Sequence, residues 1–326
     1  MLLIFRLREF ILDYIFSARN ISKGAFGTEP GPTRFLRVPA GDTALAPSQG
    51  ITRRAWYDAV TAEAQVARDP QSGRLVGDVL IFIHGFNTPQ QTVLDRHRRI
   101  RKGLEALGYK GVVVSFDWPC AATAINYLED RTDAKLTALR LVDDGIAPFS
   151  RFMRPDCEIS VHVLAHSMGC YVLREAFDDA DDRPAIAGVS WMVSQIMVCG
   201  GDVSAESMGT SPTSSSLYRH CVRLTNYSNP YDAVLSISNV KRLGVSPRVG
   251  RVGLPANAPS KAVNVDVGPY FDAHREDFDG VADADHTFYF YDASFLRDVF
   301  LTLTGNIDRS SIPGRFVENG KLYLAP

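Results

Sequence analysis

The chain has 326 residues, 45% of them apolar and 22% charged, which is enough to bury a substantial core and unlike a disordered or fibrous composition. A formal net charge of −2 and a pI near 6.4 supply no clustered basic surface, so no nucleic-acid partner is expected. Five cysteines, at 120, 157, 170, 199 and 221, are odd in number and lack any CxxC pairing, which argues against a disulfide framework and a zinc site and fits a reduced, cytoplasmic compartment.

Residues 1 to 16 are apolar but broken by Arg6, Arg8, Glu9 and Asp13. They lack both the uncharged core of a signal peptide and the roughly 20 apolar residues of a spanning helix. Arg6, Glu9 and Asp13 fall at helical spacing and leave Leu3, Leu7, Phe10, Ile11 and Tyr14 on another face, which predicts an amphipathic helix. Mixed charge signs favour packing on the body or a homo-oligomer contact over a membrane surface. Residues 20 to 50, rich in Gly, Pro, Ser and Thr, read as an extended arm with a short strand at Arg34 to Val38. Trp56 to Arg68 reads as a short helix. The expected organisation is therefore an N-terminal helix and arm over 1–74 and an α/β domain over 75–326.

From Val79 onward, apolar runs alternate with helical patterns, the signature of a doubly wound, mostly parallel sheet flanked by helices. The predicted strands are 79–84, 112–117, 158–164, 192–199, 221–226 and 262–267. Between the first two, Val93, His97, Ile100, Leu104 and Leu107 form one helical stripe, on which His97 reads as a buried, satisfied histidine. Further helices are expected over 135–152, 168–178 and 288–303. Stretches 202–216 and 244–260 are predicted surface loops, the first on the side of the sheet where ligands gather. The run Asp178, Asp179, Asp181 and Asp182 reads as a solvated helix end, and Cys157, Cys170, Cys199 and Cys221 as small apolar fillers.

The stretch Val163-Leu164-Ala165-His166-Ser167-Met168-Gly169-Cys170 sets a serine between a strand-like and a helix-like run, with small residues at −2 and +2. A serine alcohol attacks only when it is held clear of the backbone beside a base and beside donors for the developing oxyanion, and a tight turn flanked by small residues does that. Serine also caps helices at such junctions, so the motif alone is ambiguous. A second run, Val79-Leu80-Ile81-Phe82-Ile83-His84-Gly85-Phe86-Asn87, is another apolar strand that ends in a His-Gly turn.

Together these two segments resemble the α/β-hydrolase superfamily, and the HGFN wording of 84–87 resembles a group of largely uncharacterised bacterial α/β-hydrolases, over roughly residues 75 to 305. Ala165 stands where the elbow is usually written with glycine. The resemblance implies oxyanion donors at the backbone N–H groups of Phe86 and Met168, with the His84 ring as scaffold. It also implies the chain order Ser, Asp or Glu, His. Asp202 and Asp232 both follow strands that come after Ser167, and the resembling families most often use the later position, which is that of Asp232. Of the later histidines, His286 precedes the last helix as the superfamily pattern requires, while His274 lies in a polar stretch. Asp283 and Asp285 either tune His286 or cap the helix. Trp118 and Tyr127 are candidates for lining the substrate pocket, with ordinary core packing as the alternative.

These residues point to a serine hydrolase that cleaves small carboxylic esters through an acyl-enzyme, with no metal and no cofactor. Because the base must be neutral, the rate is expected to fall on the acid side. Acyltransferase, thioesterase and amidase chemistry use the same triad, and a non-catalytic binding member of the fold is the alternative from another class.

Overall fold

The computed structural model describes residues 12–120, 127–151, 157–187, 190–211, 215–240 and 246–325. Its strands join one sheet: β1 (Leu12–Ser22), β2 (Ala25–Pro39), β3 (Gly50–Ile51), β4 (Gln65–Arg68), β5 (Leu75–Ile83), β6 (Val112–Asp117), β7 (Cys157–His166), β8 (Val193–Cys199), β9 (Cys221–Ser228), β10 (Ala262–Asp266), β11 (Arg315–Glu318) and β12 (Lys321–Leu324). The order across it is β11-β12-β10-β9-β8-β7-β5-β6-β1-β2-β3, with β4 antiparallel to β5. From β12 to β1 every neighbouring pair is parallel.

A parallel sheet needs cover on both faces, and β5 shows how the sequence provides for it. Val79, Ile81 and Ile83 enter one apolar cluster while Leu80 and Phe82 enter the other. The helices are α1 (Arg53–Ala64), α2 (Gln90–Ala106), α3 (Tyr127–Leu141), α4 (Ala147–Arg151), α5 (Met168–Asp181), α6 (Pro184–Ala187), α7 (Ala233–Val240), α8 (Val249–Val252), α9 (Gly268–Ala273), α10 (Ala284–Thr287) and α11 (Ala293–Thr304). The first cluster holds Trp56 and Tyr57 of α1, Leu141 of α3, Phe149 of α4 and Val172, Leu173 and Ala176 of α5. The second holds Ile100 and Leu104 of α2 with Phe295, Leu296 and Val299 of α11. α11 starts where Asp292 accepts the Phe295 N–H and stops at Gly305, whose φ of 64° glycine adopts without strain.

The N-terminal segment differs from expectation. Residues 1–11 of the predicted helix lie outside the described residues, and Leu12 to Phe16 open β1, an interior strand between β6 and β2. Strand period replaces helical period because Asp13 finds cations on helix α2. It accepts from Arg98 Nε at 2.7 Å and Arg101 Nε at 3.1 Å, and His97 Nε2 lies 3.4 Å away. Burial would raise the Asp13 pKa, but His97, Arg98 and Arg101 outweigh it and hold the carboxyl at about 2. Tyr14 and Phe16 enter the first apolar cluster, and Ile15 packs with Leu36 and Val38.

Other expectations shift by smaller steps. The first helix ends at Ala64, where β4 begins, and the helix expected over 135–152 starts at Tyr127 and contains a π-helical turn at Val142–Ile146. The acidic run is not simply solvated: Asp178 accepts the Ser216 N–H at 2.8 Å and Asp181 pairs with His220 at 2.6 Å, clamping the end of α5 to the 3-10 turn at Ser216–Arg219. The two predicted loops interlock, with Val249 N donating to Val203 O and Ala205 N to Pro247 O, and Val203 and Met208 are buried. Residues 212–214, 244 and 245 of those loops lie outside the description. His97 is buried and contacts Ser115 Oγ at 2.8 Å, as its stripe suggested. Among the described residues no helix is long and apolar enough to cross a membrane.

Candidate active site

β5 leads to β6 on one side, and the chain then returns to β7 on the other, so the carboxyl ends of these strands border the crevice where ligands gather in such sheets. Ser167 stands there between β7 and α5 with φ 55° and ψ −125°, a conformation that costs a non-glycine residue about 1–3 kcal/mol and persists only where its surroundings hold it. Three hydrogen bonds do so. The Ser167 N–H donates to Cys199 O at 3.1 Å, and Ser167 O accepts from Cys170 N and Asp202 N, each at 3.0 Å.

The small flanks have separate reasons. A Cβ on Gly169 would lie 2.5 Å from His84 O and 2.6 Å from Ile83 O, so only glycine lets α5 abut the end of β5. Ala165 is fully buried inside β7, paired with Ile83 and Val198, and its methyl is accommodated in the first core. Its carbonyl receives the thiols of Cys170 at 3.2 Å and Cys199 at 3.4 Å. Cys120, Cys170, Cys199 and Cys221 are free and buried.

The His-Gly turn comes directly against the serine. A Cβ on Gly85 would lie 2.8 Å from Ser167 Cβ and 3.0 Å from His166 Nδ1. Asn87 takes φ 49°, which Asn tolerates better than most residues, and Thr88 Oγ1 ties the turn to Gly85 O at 3.0 Å and Phe86 O at 3.1 Å. Phe86 therefore follows the residue that touches Ser167, and Met168 opens α5, whose first N–H groups have no intrahelical acceptor.

Asp232 and His286 meet. Asp232 Oδ2 lies 2.6 Å from His286 Nδ1, with Asp232 fully buried and His286 6% exposed. The other Asp232 oxygen accepts the Leu235 N–H at 2.8 Å, and Arg251 donates to the Asp232 carbonyl. The imidazole packs on Gly200, where a Cβ would sit 3.3 Å from its Cε1 and Nδ1, next to the Cys199 carbonyl that receives the Ser167 N–H. His166 Nε2 donates to His286 O at 2.8 Å, with the two rings 4.6 Å apart. Burial, then the neighbouring His286, pushes the His166 pKa far down, so His166 is a neutral donor with its proton on Nε2.

Asp202 is engaged elsewhere, in a buried pair with Arg248 Nε at 2.9 Å. Asp285 caps α7 by accepting the Ala233 N–H at 2.9 Å, and Asn229 Nδ2 holds its carbonyl at 2.7 Å. Asp283 takes φ 49° at the start of α10. His274 is half-buried and local, contacting Tyr270 O at 2.8 Å. Trp118 and His84 are fully buried. The Trp118 indole donates to His84 O at 2.8 Å and stacks on the His84 ring, so both contact the turn from behind. Tyr127 opens α3 with its side chain outside the described residues. The supports given by Arg251, Asn229 and His166 had no sequence signal beyond the position of His166 beside the serine. Among the described residues no group of three or more metal-ligating side chains comes together.

Solved structures similar to this chain include a lipase B from Aspergillus fumigatus, 14% identical over 93% of this chain and 69% of the lipase with a TM-score of 0.39. Others are a cutinase-like protein from Cryptococcus sp., 16% identical over 73% of this chain and 94% of that protein with a TM-score of 0.31, and an esterase/lipase from an uncultured bacterium, 12% identical over 79% and 94% with a TM-score of 0.34. No curated protein matches the chain. Residues 59–265, more than half of the chain, match the family model described as alpha/beta hydrolase of unknown function (DUF900). The chain belongs to that alpha/beta hydrolase family.

Proposed function

We propose that the protein is a serine hydrolase of carboxylic esters with Ser167 as nucleophile, His286 as general base and Asp232 as its acid partner. The observation that carries this reading is the buried 2.6 Å contact of Asp232 Oδ2 with His286 Nδ1, on an imidazole seated beside the backbone that holds the strained Ser167. With the Nδ1 proton donated to Asp232, His286 Nε2 accepts a proton. Ser167 Oγ attacks the ester carbonyl carbon while His286 takes its proton, and the N–H groups of Phe86 and Met168 donate to the oxyanion. Collapse breaks the bond to the alkoxy oxygen, which leaves as alcohol with the His286 proton. Water then attacks the acyl-enzyme by the same route, releasing the acid and the serine. The chemistry needs no metal or cofactor.

Turnover of p-nitrophenyl acetate and butyrate tests this, together with mass-spectrometric detection of a fluorophosphonate adduct. Wild type should turn over and be labelled on Ser167, and Ser167→Ala should lose at least about 10³-fold in kcat. Undiminished turnover by Ser167→Ala would refute the assignment. Competing alcohols in the assay distinguish hydrolysis from acyl transfer by the products formed.

A further inference from the structure

Behind the His84 turn lies a buried charge cluster that the triad does not use. Asp117, the last residue of β6, is fully buried and accepts from Ser17 Oγ at 2.7 Å and Arg19 Nε at 2.8 Å, both on β1, where Ser17 is the register partner of Asp117. Arg19, 3% exposed, also donates through Nη1 to Cys120 O at 3.1 Å and Gly27 O at 3.4 Å. Burial would raise the Asp117 pKa, but the Arg19 charge, then His84 and the Ser17 hydroxyl, hold it far below the ordinary carboxylate range. Apolar residues of similar size would fill the same space at least as stably, so stability alone does not call for this pair.

The cluster reaches the candidate oxyanion loop through one side chain. His84 Nε2 lies 3.3 Å from Asp117 Oδ1, a close approach short of a well-directed hydrogen bond, while His84 Nδ1 meets Gly85 O at 2.8 Å. Trp118, the residue after Asp117, holds His84 O at 2.8 Å and stacks on the ring at 5.4 Å and 9°. A path of close contacts therefore runs from β1 through Asp117 and its neighbour Trp118 to His84, Gly85 and Phe86, and a Cβ on Gly85 would strike Ser167. The matched family segment starts at residue 59, so the guanidinium of Arg19 and the hydroxyl of Ser17 that hold Asp117 come from outside it.

We infer that β1 is part of the catalytic apparatus: Ser17 and Arg19 are positioning residues that fix Asp117, and through it His84, so that the Phe86 N–H stays aimed at the oxyanion. The inference rests on the hydrolase reading above. A loop released from this anchor still binds substrate but stabilises the transition state less, so the loss falls on kcat and not on KM.

The test compares kcat and KM per phosphonate-titratable serine for wild type, Ser17→Ala, Arg19→Met, Asp117→Asn and the Arg19→Met/Asp117→Asn double variant. Arg98→Met serves as control, since it unties the same strand at Asp13, away from the loop. Arg19→Met and Asp117→Asn should lower kcat roughly 10- to 100-fold with KM within about twofold, and Ser17→Ala, which removes one hydroxyl, roughly fivefold. The double variant should lose little beyond the worse single one, because both act through one path. Arg98→Met should keep kcat per titrated site whatever its stability. Ser17→Ala and Asp117→Asn are near-isosteric and keep the test open if Arg19→Met does not fold. Unchanged kcat in these variants, or an equal loss in Arg98→Met, overturns the inference while leaving the hydrolase intact. Absence of Ser167-dependent turnover in wild type instead removes the hydrolase reading itself.

Discussion

Asp232→Asn is the sharpest perturbation of the proposed site because it changes charge and almost nothing else. The Asn oxygen can still accept the Leu235 N–H that Asp232 Oδ1 receives at 2.8 Å, so α7 keeps its start. What is lost is the anion 2.6 Å from His286 Nδ1, whose value appears only when His286 becomes an imidazolium in the transition state. With the charge centres roughly 4 Å apart and an effective dielectric of about 20, that attraction is ~4 kcal/mol. At about 1.4 kcal/mol per decade, its removal slows kcat on the order of 10³-fold. An amide NH2 turned toward Nδ1 would also force the wrong tautomer, which acts in the same direction. Asp202→Asn is the comparison. It leaves Arg248 buried without its partner, and breaking such a pair costs about 3 kcal/mol of stability with no electrostatic reason for a large change in kcat. Steady-state rates on p-nitrophenyl butyrate, scaled to titratable serine, with urea melts of the same samples, separate the two. Less than a tenfold kcat loss in Asp232→Asn, or an equal loss in Asp202→Asn, would refute the reasoning.

Ser167→Gly should be inactive yet more stable than Ser167→Ala by about 1 kcal/mol, because glycine relieves the φ of 55° that alanine retains; equal urea midpoints for the two would show that no strain is stored there. His166 is held neutral by burial, so the folded state binds fewer protons than the unfolded one, and stability should fall by about 1.4 kcal/mol per unit as pH drops below roughly 6.5. His166→Gln, which can still donate to His286 O, should reduce that slope between pH 7 and 5.5 in denaturant titrations. Asp13 has the same sign in a more acidic window: with its folded pKa lowered to about 2, it contributes about 2 kcal/mol above pH 4, lost as pH falls from about 4 to 2. Asp13→Asn should therefore be less stable at pH 7 by at least that amount, with a flatter acid-unfolding profile in that window.

The central strands were legible because they are buried on both faces, and β5, β6 and β8 carry continuous apolar runs. The serine turn was legible because its geometry demands small residues at fixed offsets, and Gly85, whose Cβ would strike Ser167, follows the same logic. Asp202 and Asp232 could not be separated that way. Both follow strands, and only the folded chain shows Arg248 taking one and His286 the other. β1 misled because periodicity assumes that charges face water, whereas Asp13 is balanced by Arg98 and Arg101, and Arg19 by Asp117, 98 residues away. Pairings that distant leave no local pattern. The run at Asp178 to Asp182 failed for the same reason, its partners Ser216 and His220 lying nearly forty positions on.

The placement of β1 also bears on how the protein is made. Its antiparallel neighbour β2 follows at once, but its parallel neighbour β6 carries Val114 opposite Tyr14, a hundred positions later. At roughly 5–20 residues per second, a ribosome leaves that early hairpin without its second neighbour for about 5–20 s. During the wait Tyr14 and Phe16 have no core to enter, and an open strand edge invites pairing with another nascent chain. The protein's dependence on chaperones should therefore be greatest for truncated nascent chains that stop short of β6, and should drop once that strand has emerged.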